Sequence, residues 1–148
     1  MMKNKVKFAV VGAGHIGKRH AEMITRESEA ELVALVDCRS QKDCEAERFD
    51  VPFFSSIEEL LDSSLDIDVV NICTPNGLHA SQSLKALEHK KHVVCEKPMG
   101  LSKDNCERII FKALEVSKQV FCVMQNRYSP PSQWIKSLIT EGVMGEIF

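Results

Sequence analysis

The sequence predicts an α/β protein built on a doubly wound, mainly parallel six-stranded sheet with helices on both faces. Three observations carry this expectation. Short apolar, β-branched runs alternate along the 148 residues with longer stretches of helical period, which is the pattern of βαβ units. Most of the strand-like runs are continuously apolar, as in strands covered on both faces. A glycine-rich turn, Gly12-Ala13-Gly14-His15-Ile16-Gly17, stands directly between the first such run and the first helical stretch.

Taken in order, the first strand is expected over Lys7 to Val11. The helix after the glycine turn carries Ile16, His20, Met23 and Ile24 on one face, which is expected to lie on the sheet. That placement makes His20 a hydrogen-bonded, buried histidine and not a catalyst. Strands follow over Leu32 to Asp37 and Pro52 to Phe54, and Ser56 with Glu59 three residues on has the form of a capping box. A fourth strand over Val69 to Cys73 leads to a helix with Ala80, Leu84 and Leu87 on its packing face. A fifth covers His92 to Cys95, and His89 and His92 read as solvated. Ser102 can cap a helix running to about Ser117, with Cys106, Ile110, Ala113 and Leu114 on one face, and a sixth strand spans Val120 to Met124.

Six strands complete such a sheet, so residues 1–125 are assigned to one domain. Residues 126–148 are assigned to a linker helix and the start of a second, truncated domain. Pro130-Pro131 opens that helix, Trp134, Ile135, Leu138 and Ile139 form its broad apolar face, and Gly142 and Gly145 stop it. Glu146-Ile147-Phe148 then reads as the start of a strand.

Composition narrows the function. With 44% hydrophobic and 27% charged residues the chain is an ordinary globular protein, and a formal charge of -2 without a basic, aromatic-laced patch argues against a nucleic-acid partner. Met1 to Val6 run into the first strand without an apolar stretch that could serve as a signal or membrane span, which points to the cytoplasm. Of the cysteines at 38, 44, 73, 95, 106 and 122, none form a Cys-x-x-Cys pair, and most lie in apolar patterns. Buried thiols are expected, and no metal site.

The glycine turn is where chemistry enters. Gly12 permits the tight turn, Gly14 lets the backbone approach a pyrophosphate, and Gly17 allows the helix to pack closely on the strand. The N–H groups and positive dipole end of the helix then face the anion, with His15 and Ile16 beside it. Asp37, at the end of the second strand, is placed to accept hydrogen bonds from adenosine ribose hydroxyls and to repel a 2′-phosphate. Arg39 qualifies this, because a guanidinium there can pair with a 2′-phosphate or stack on adenine. The expected cofactor is NAD, with NADP possible.

Three further segments follow strand ends, at the edge where open α/β sheets bind ligands: Cys73-Thr74-Pro75-Asn76-Gly77-Leu78-His79, Glu96-Lys97-Pro98 and Gln125-Asn126-Arg127-Tyr128. With the glycine turn and His20, they resemble the glucose-fructose oxidoreductase, inositol dehydrogenase and MocA family of dinucleotide-dependent oxidoreductases. The resemblance covers nearly the whole chain. It implies a Rossmann fold and NAD(P)-dependent oxidation of a sugar, cyclitol or sugar-nucleotide hydroxyl. It implies that Thr74, Pro75, Asn76 and His79 line the nicotinamide side, that Glu96 sets the nicotinamide ribose, and that Lys97, often joined to Pro98 by a cis bond, sits near the reacting hydroxyl. Lys97 and Gln125 join the cofactor contacts, and Lys97, Asn126 and Arg127 the substrate contacts. An amine beside a positively charged nicotinamide can act as a general base.

Family members continue into an open-faced sheet that binds substrate. The expectation is therefore that this span binds NAD, turns over substrate poorly, and self-associates or forms a homo-oligomer through the apolar surface around Trp134 and Ile135. The stretches CTPNGLHA and QNRYSPP look most like members acting on nucleotide-linked amino sugars or their uronates. A non-catalytic dinucleotide-sensing module stays open as the alternative. Lys97 discriminates in part, since a sensor has no use for an amine at the nicotinamide end.

Overall fold

A computed structural model of the chain describes residues 5–147. Its core is a parallel six-stranded sheet in the order β3-β2-β1-β4-β5-β6, formed by β1 (Val6–Val11), β2 (Ala30–Val36), β3 (Phe53–Phe54), β4 (Val69–Ile72), β5 (His92–Cys95) and β6 (Val120–Cys122). Chain order reverses between β1 and β4, which creates the crevice at their carboxyl ends where ligands bind in such sheets. All six expected strands form, most of them with slightly shifted ends, β6 being the most shortened.

The strand period of two sorts side chains into two cores. Ala9, Val11, Val36, Val70, Ile72, Val93 and Cys95 face α2 (Ile57–Asp62), α3 (His79–Glu88) and α4 (Lys103–Glu115), where Leu60, Leu87 and Ile109 are fully buried. Val10 and Leu35 face α1 (His15–Arg26) on the other side, with Ala21 and Ile24. Cross-strand register puts Leu35, Val10, Asn71, Val94 and Phe121 in one row across that second face. Leu35 and Val10 are fully buried under α1, but Phe121 at the far end is 54% exposed. Helices therefore lie on both faces, but the α1 face thins out toward β6.

Two helix faces differ from expectation. On α1 the buried residues are Gly17, Ala21 and Ile24, whereas Ile16 and Met23 are exposed. Close packing at Gly17 rotates the helix so that its small residues meet the sheet, and the larger ones border an open groove. On α4, Ile109 and Ala113 are buried, and Ile110 and Leu114 look outward. On α3, Leu87 is fully buried, with Ala80 and Leu84 partly buried beside it. Ser56 caps α2 by accepting from Glu59 N–H, and the Glu59 carboxylate returns the bond to Ser55. Ser102 caps α4 through Asn105 N–H.

The last helix, α5 (Pro130–Thr140), starts at Pro130 and is followed by Gly142 and Gly145, both with positive φ. None of its residues is buried, and Trp134, Ile135 and Ile139 stay exposed. Glu146 and Ile147 form no strand; Phe148, the end of that expected strand, lies outside the described residues, as do Met1 to Asn4. No helix among the described residues is long and apolar enough to cross a membrane. Cys44 and Cys95 are the buried thiols; Cys38 is exposed and Cys73, Cys106 and Cys122 are intermediate, so the expectation of buried cysteines holds only in part. His89 is exposed, as expected, and its ring also bonds the Lys85 carbonyl; His92 is partly buried and accepts from the Gln119 N–H.

Candidate functional site

The glycine turn separates three requirements that its spacing alone cannot. A Cβ on Gly12, whose φ is +95°, would meet the Cys73 carbonyl carbon and oxygen at 2.7 Å. One on Gly17 would sit 1.7 Å from the Gly12 carbonyl oxygen. Both are glycines because the fold leaves no room. Gly14 is different, since a Cβ there would find nothing within 4 Å and its φ of -72° suits any residue. It lines a cleft of about 760 Å³ and forms the N-cap of α1, with no side-chain cap and no acid in the first turn. A bare backbone and uncontested helix N-terminus facing a cleft suit an anion, here a dinucleotide pyrophosphate.

The cleft runs from this turn over the ends of β2 and β4. Of the candidate residues besides the glycines, His15, Ile16, Asp37, Arg39, Thr74 and Pro75 line it. Asp37, the residue after β2, is nearly buried, with its side chain 9% exposed. Its Oδ2 accepts from Ala13 N–H at 2.9 Å and from Arg39 Nη2 at 3.1 Å. Its Oδ1 accepts from Arg39 N–H and Nε, both at 3.0 Å. Burial pushes the carboxyl up, but the Arg39 guanidinium and the two backbone N–H groups outweigh it and hold the pKa down at about 2. The same pair pushes the Arg39 guanidinium higher still.

At the β4 end, Thr74 Oγ1 donates to Gln82 Oε1 at 2.5 Å. His79 does not line this cleft. It is 1% exposed, and its Nδ1 and Nε2 lie 2.7 Å from the Pro98 and Thr74 carbonyl oxygens. Its geometry is that of a tie between the turns after β4 and β5; a neutral ring, having one N–H, donates to one carbonyl at a time. Lys97 and Pro98 are joined by a cis peptide bond, and the Lys97 side chain is exposed.

A second cleft, of about 550 Å³, opens between α1 and the ends of β4 to β6, bordered by His15, Ile16, Glu96 and Gln125. At its floor His20 Nε2 lies 3.0 Å from Glu96 Oε1, and Asn71 Nδ2 lies 3.0 Å from His20 Nδ1. With Asn71 as donor, the free proton of His20 is on Nε2 and the ring donates to the carboxylate. His20 is thus hydrogen-bonded, as its position on α1 predicts, and its partner is a candidate site residue. Asn71 was missed by sequence reasoning; it is 4% exposed, and its Oδ1 finds no hydrogen-bond partner among the described residues. The signal was there, as one amide in an otherwise apolar strand. Gln82 and Cys38, which also line the first cleft, were missed too. Asn76, Asn126 and Arg127 are exposed at the same sheet edge and border neither cleft.

The chain and its fold are similar to those of known proteins. The profile of an oxidoreductase family with an NAD-binding Rossmann fold matches residues 6–124. D-glucoside 3-dehydrogenase of Escherichia coli is 30% identical over 150 residues, covering 100% of this chain and 43% of the relative. The WlbA dehydrogenase of Chromobacterium violaceum, solved with NADH and UDP-GlcNAcA, superposes with a TM-score of 0.91 at 30% identity, covering 100% of this chain and 43% of the other. The scyllo-inositol dehydrogenase of Lactobacillus casei, solved with NAD(H) and scyllo-inositol, gives 0.87 at 28% identity, covering 97% and 43%. The chain thus spans about two fifths of the length of these relatives.

Proposed function

We propose, because this chain belongs to the glucose-fructose oxidoreductase, inositol dehydrogenase and MocA family of oxidoreductases, that it positions NAD for hydride exchange with a hydroxyl-bearing carbon of a sugar, cyclitol or sugar nucleotide. The chain carries that family's NAD-binding Rossmann fold. Gly14 is the observation that carries the reading furthest, since the cleft needs a glycine there and the fold does not.

Bound NAD supplies the hydride acceptor. The α1 N-terminus and the Gly14 backbone take the pyrophosphate, and the Asp37 end of the cleft takes the adenosine. Thr74, Pro75 and Asn76 border the nicotinamide half. Glu96, steadied by His20, meets the ribose there. Lys97 Nζ takes the hydroxyl proton as hydride leaves the carbon, and passes that proton to solvent. Following β6, Gln125 completes the cofactor contacts, and Asn126 and Arg127 the edge toward substrate. The relative solved with UDP-GlcNAcA supports a nucleotide-linked uronate as one substrate class, and the one solved with scyllo-inositol supports a cyclitol.

Residues 126–148 are assigned, within the same proposal, to a linker toward a substrate-binding domain, supported by the greater length of the relatives. Cytoplasmic placement belongs here too, and free thiols suit a reducing compartment. Lys97→Ala provides the test. In the full-length protein it should cut the rate of NAD+ reduction by about 100-fold or more while leaving the NAD+ dissociation constant within about twofold. An unchanged rate would remove Lys97 from the reaction. NAD+ binding without turnover on any sugar, cyclitol or sugar nucleotide would favour a sensing module.

A further inference from the structure

Asp37 is saturated from within the protein. A carboxylate offers about four lone-pair positions, and four N–H donors occupy them: Ala13 N, Arg39 N, Arg39 Nε and Arg39 Nη2. Two of these are backbone groups fixed by the glycine turn and by the end of β2. The other two belong to one side chain, 52% exposed on the cleft wall. A ribose hydroxyl can therefore donate to Asp37 only when the Arg39 guanidinium turns away. The pair uses the Nε/Nη2 edge of the guanidinium, and a guanidinium has five N–H donors, so Nη1 and the second Nη2 hydrogen are not spent on Asp37. That remaining edge can take a phosphate bidentately with the pair intact.

We propose that Arg39 sets cofactor choice by screening Asp37, so that the cleft accepts dinucleotides bearing a 2′-phosphate as well as those bearing a 2′-hydroxyl. An exposed aspartate at this place repels a 2′-phosphate. Here its charge is matched by a guanidinium held in two hydrogen bonds, on a half-exposed side chain that lines the cleft. NADP+ keeps the Asp37–Arg39 pair and adds to it. NAD+ has to break the guanidinium half of it, and the freed Arg39 turns onto the cleft wall. The inference rests on the NAD-binding reading of the cleft and extends it to the selectivity of the adenosine end.

Calorimetric titration of the chain with NAD+ and with NADP+ separates the two. Wild-type protein should bind both, and Arg39→Ala should shift the NAD+ to NADP+ affinity ratio at least tenfold toward NAD+, with NAD+ affinity equal to or above wild type. Arg39→Lys, which keeps the charge but not the paired donors, should recover part of the NADP+ affinity and guards against a misfolded alanine variant. Binding of NAD+ without NADP+ by the wild type, or a ratio that moves less than tenfold in Arg39→Ala, overturns the proposal. Binding of neither dinucleotide overturns the NAD-binding reading itself, and this inference with it.

Discussion

Gly14 and Gly17 sit three residues apart in one motif and are glycines for unrelated reasons, and alanine at each position separates them. The Gly17 methyl would overlap the Gly12 carbonyl oxygen at 1.7 Å, backbone against backbone. Gly17→Ala is expected to cost more than about 3 kcal/mol and to lower the melting temperature sharply. Gly14→Ala meets open space and should fold within about 1 kcal/mol of wild type, while weakening NAD+ binding tenfold or more. A Gly14→Ala protein that binds NAD+ normally would place the pyrophosphate elsewhere. Asp37 gives a second residue-scale expectation. Its carboxyl falls from 3.8 to about 2 on folding. The pairing thus stabilises the fold above the unfolded value, and the gain is lost as pH falls through the folded one. Denaturant unfolding should show a loss of about 2 kcal/mol between pH 5 and pH 2 that Asp37→Asn abolishes. The same loss in Asp37→Asn would assign it to other carboxylates. The sequence spacing could place Asp37 at the strand end, but not reveal that Arg39 folds back onto it, because a two-residue separation leaves the guanidinium free to point either way.

Among the elements, the strands were legible because each is a short apolar run bounded by turn residues, and the caps at Ser56 and Ser102 because their hydroxyl-to-N–H spacing is local. Helix faces were less so. On α1 a count of large apolar residues favours Ile16 and Met23, yet the sheet admits only Gly17, Ala21 and Ile24, since packing distance is set by the smallest contact. Helix stops were legible only in part: α4 was expected to run to about Ser117 and ends at Glu115 with Ser117 at positive φ, whereas nothing marked the end of α3 before Lys90, also at positive φ. The Lys91 and Lys118 N–H groups reach back to the Ala86 and Ala113 carbonyls. No glycine advertises those two stops. α5 was predicted to be stopped by Gly142 and Gly145, and it ends at Thr140, just ahead of them. Its apolar side, Trp134, Ile135 and Ile139, finds no cover among the described residues. Self-association through this face should appear as concentration-dependent light scattering, reduced in a Trp134→Ser, Ile139→Ser variant. A monomer at every concentration would refute that.

At the scale of the molecule, the sheet order brings three loops distant in sequence to one edge, and the parallel topology obliges them all to lie at carboxyl ends. This is why residues read one motif at a time come together: Gly14 beside Thr74 across the β1–β4 crevice, and Glu96 beside His20 under α1. What the sequence could not convey is which of them face a cleft. His79 has the look of a cofactor contact and is instead a buried tie between loops, whereas Asn71 looks like a core residue and floors the second cleft. The central claim is that the fold holds a cradle for a dinucleotide along this edge. Calorimetric titration of the chain with NAD+ tests it most directly. The account predicts saturable one-to-one binding that Gly14→Ala weakens at least tenfold, and no heat of binding at saturating NAD+ would contradict it.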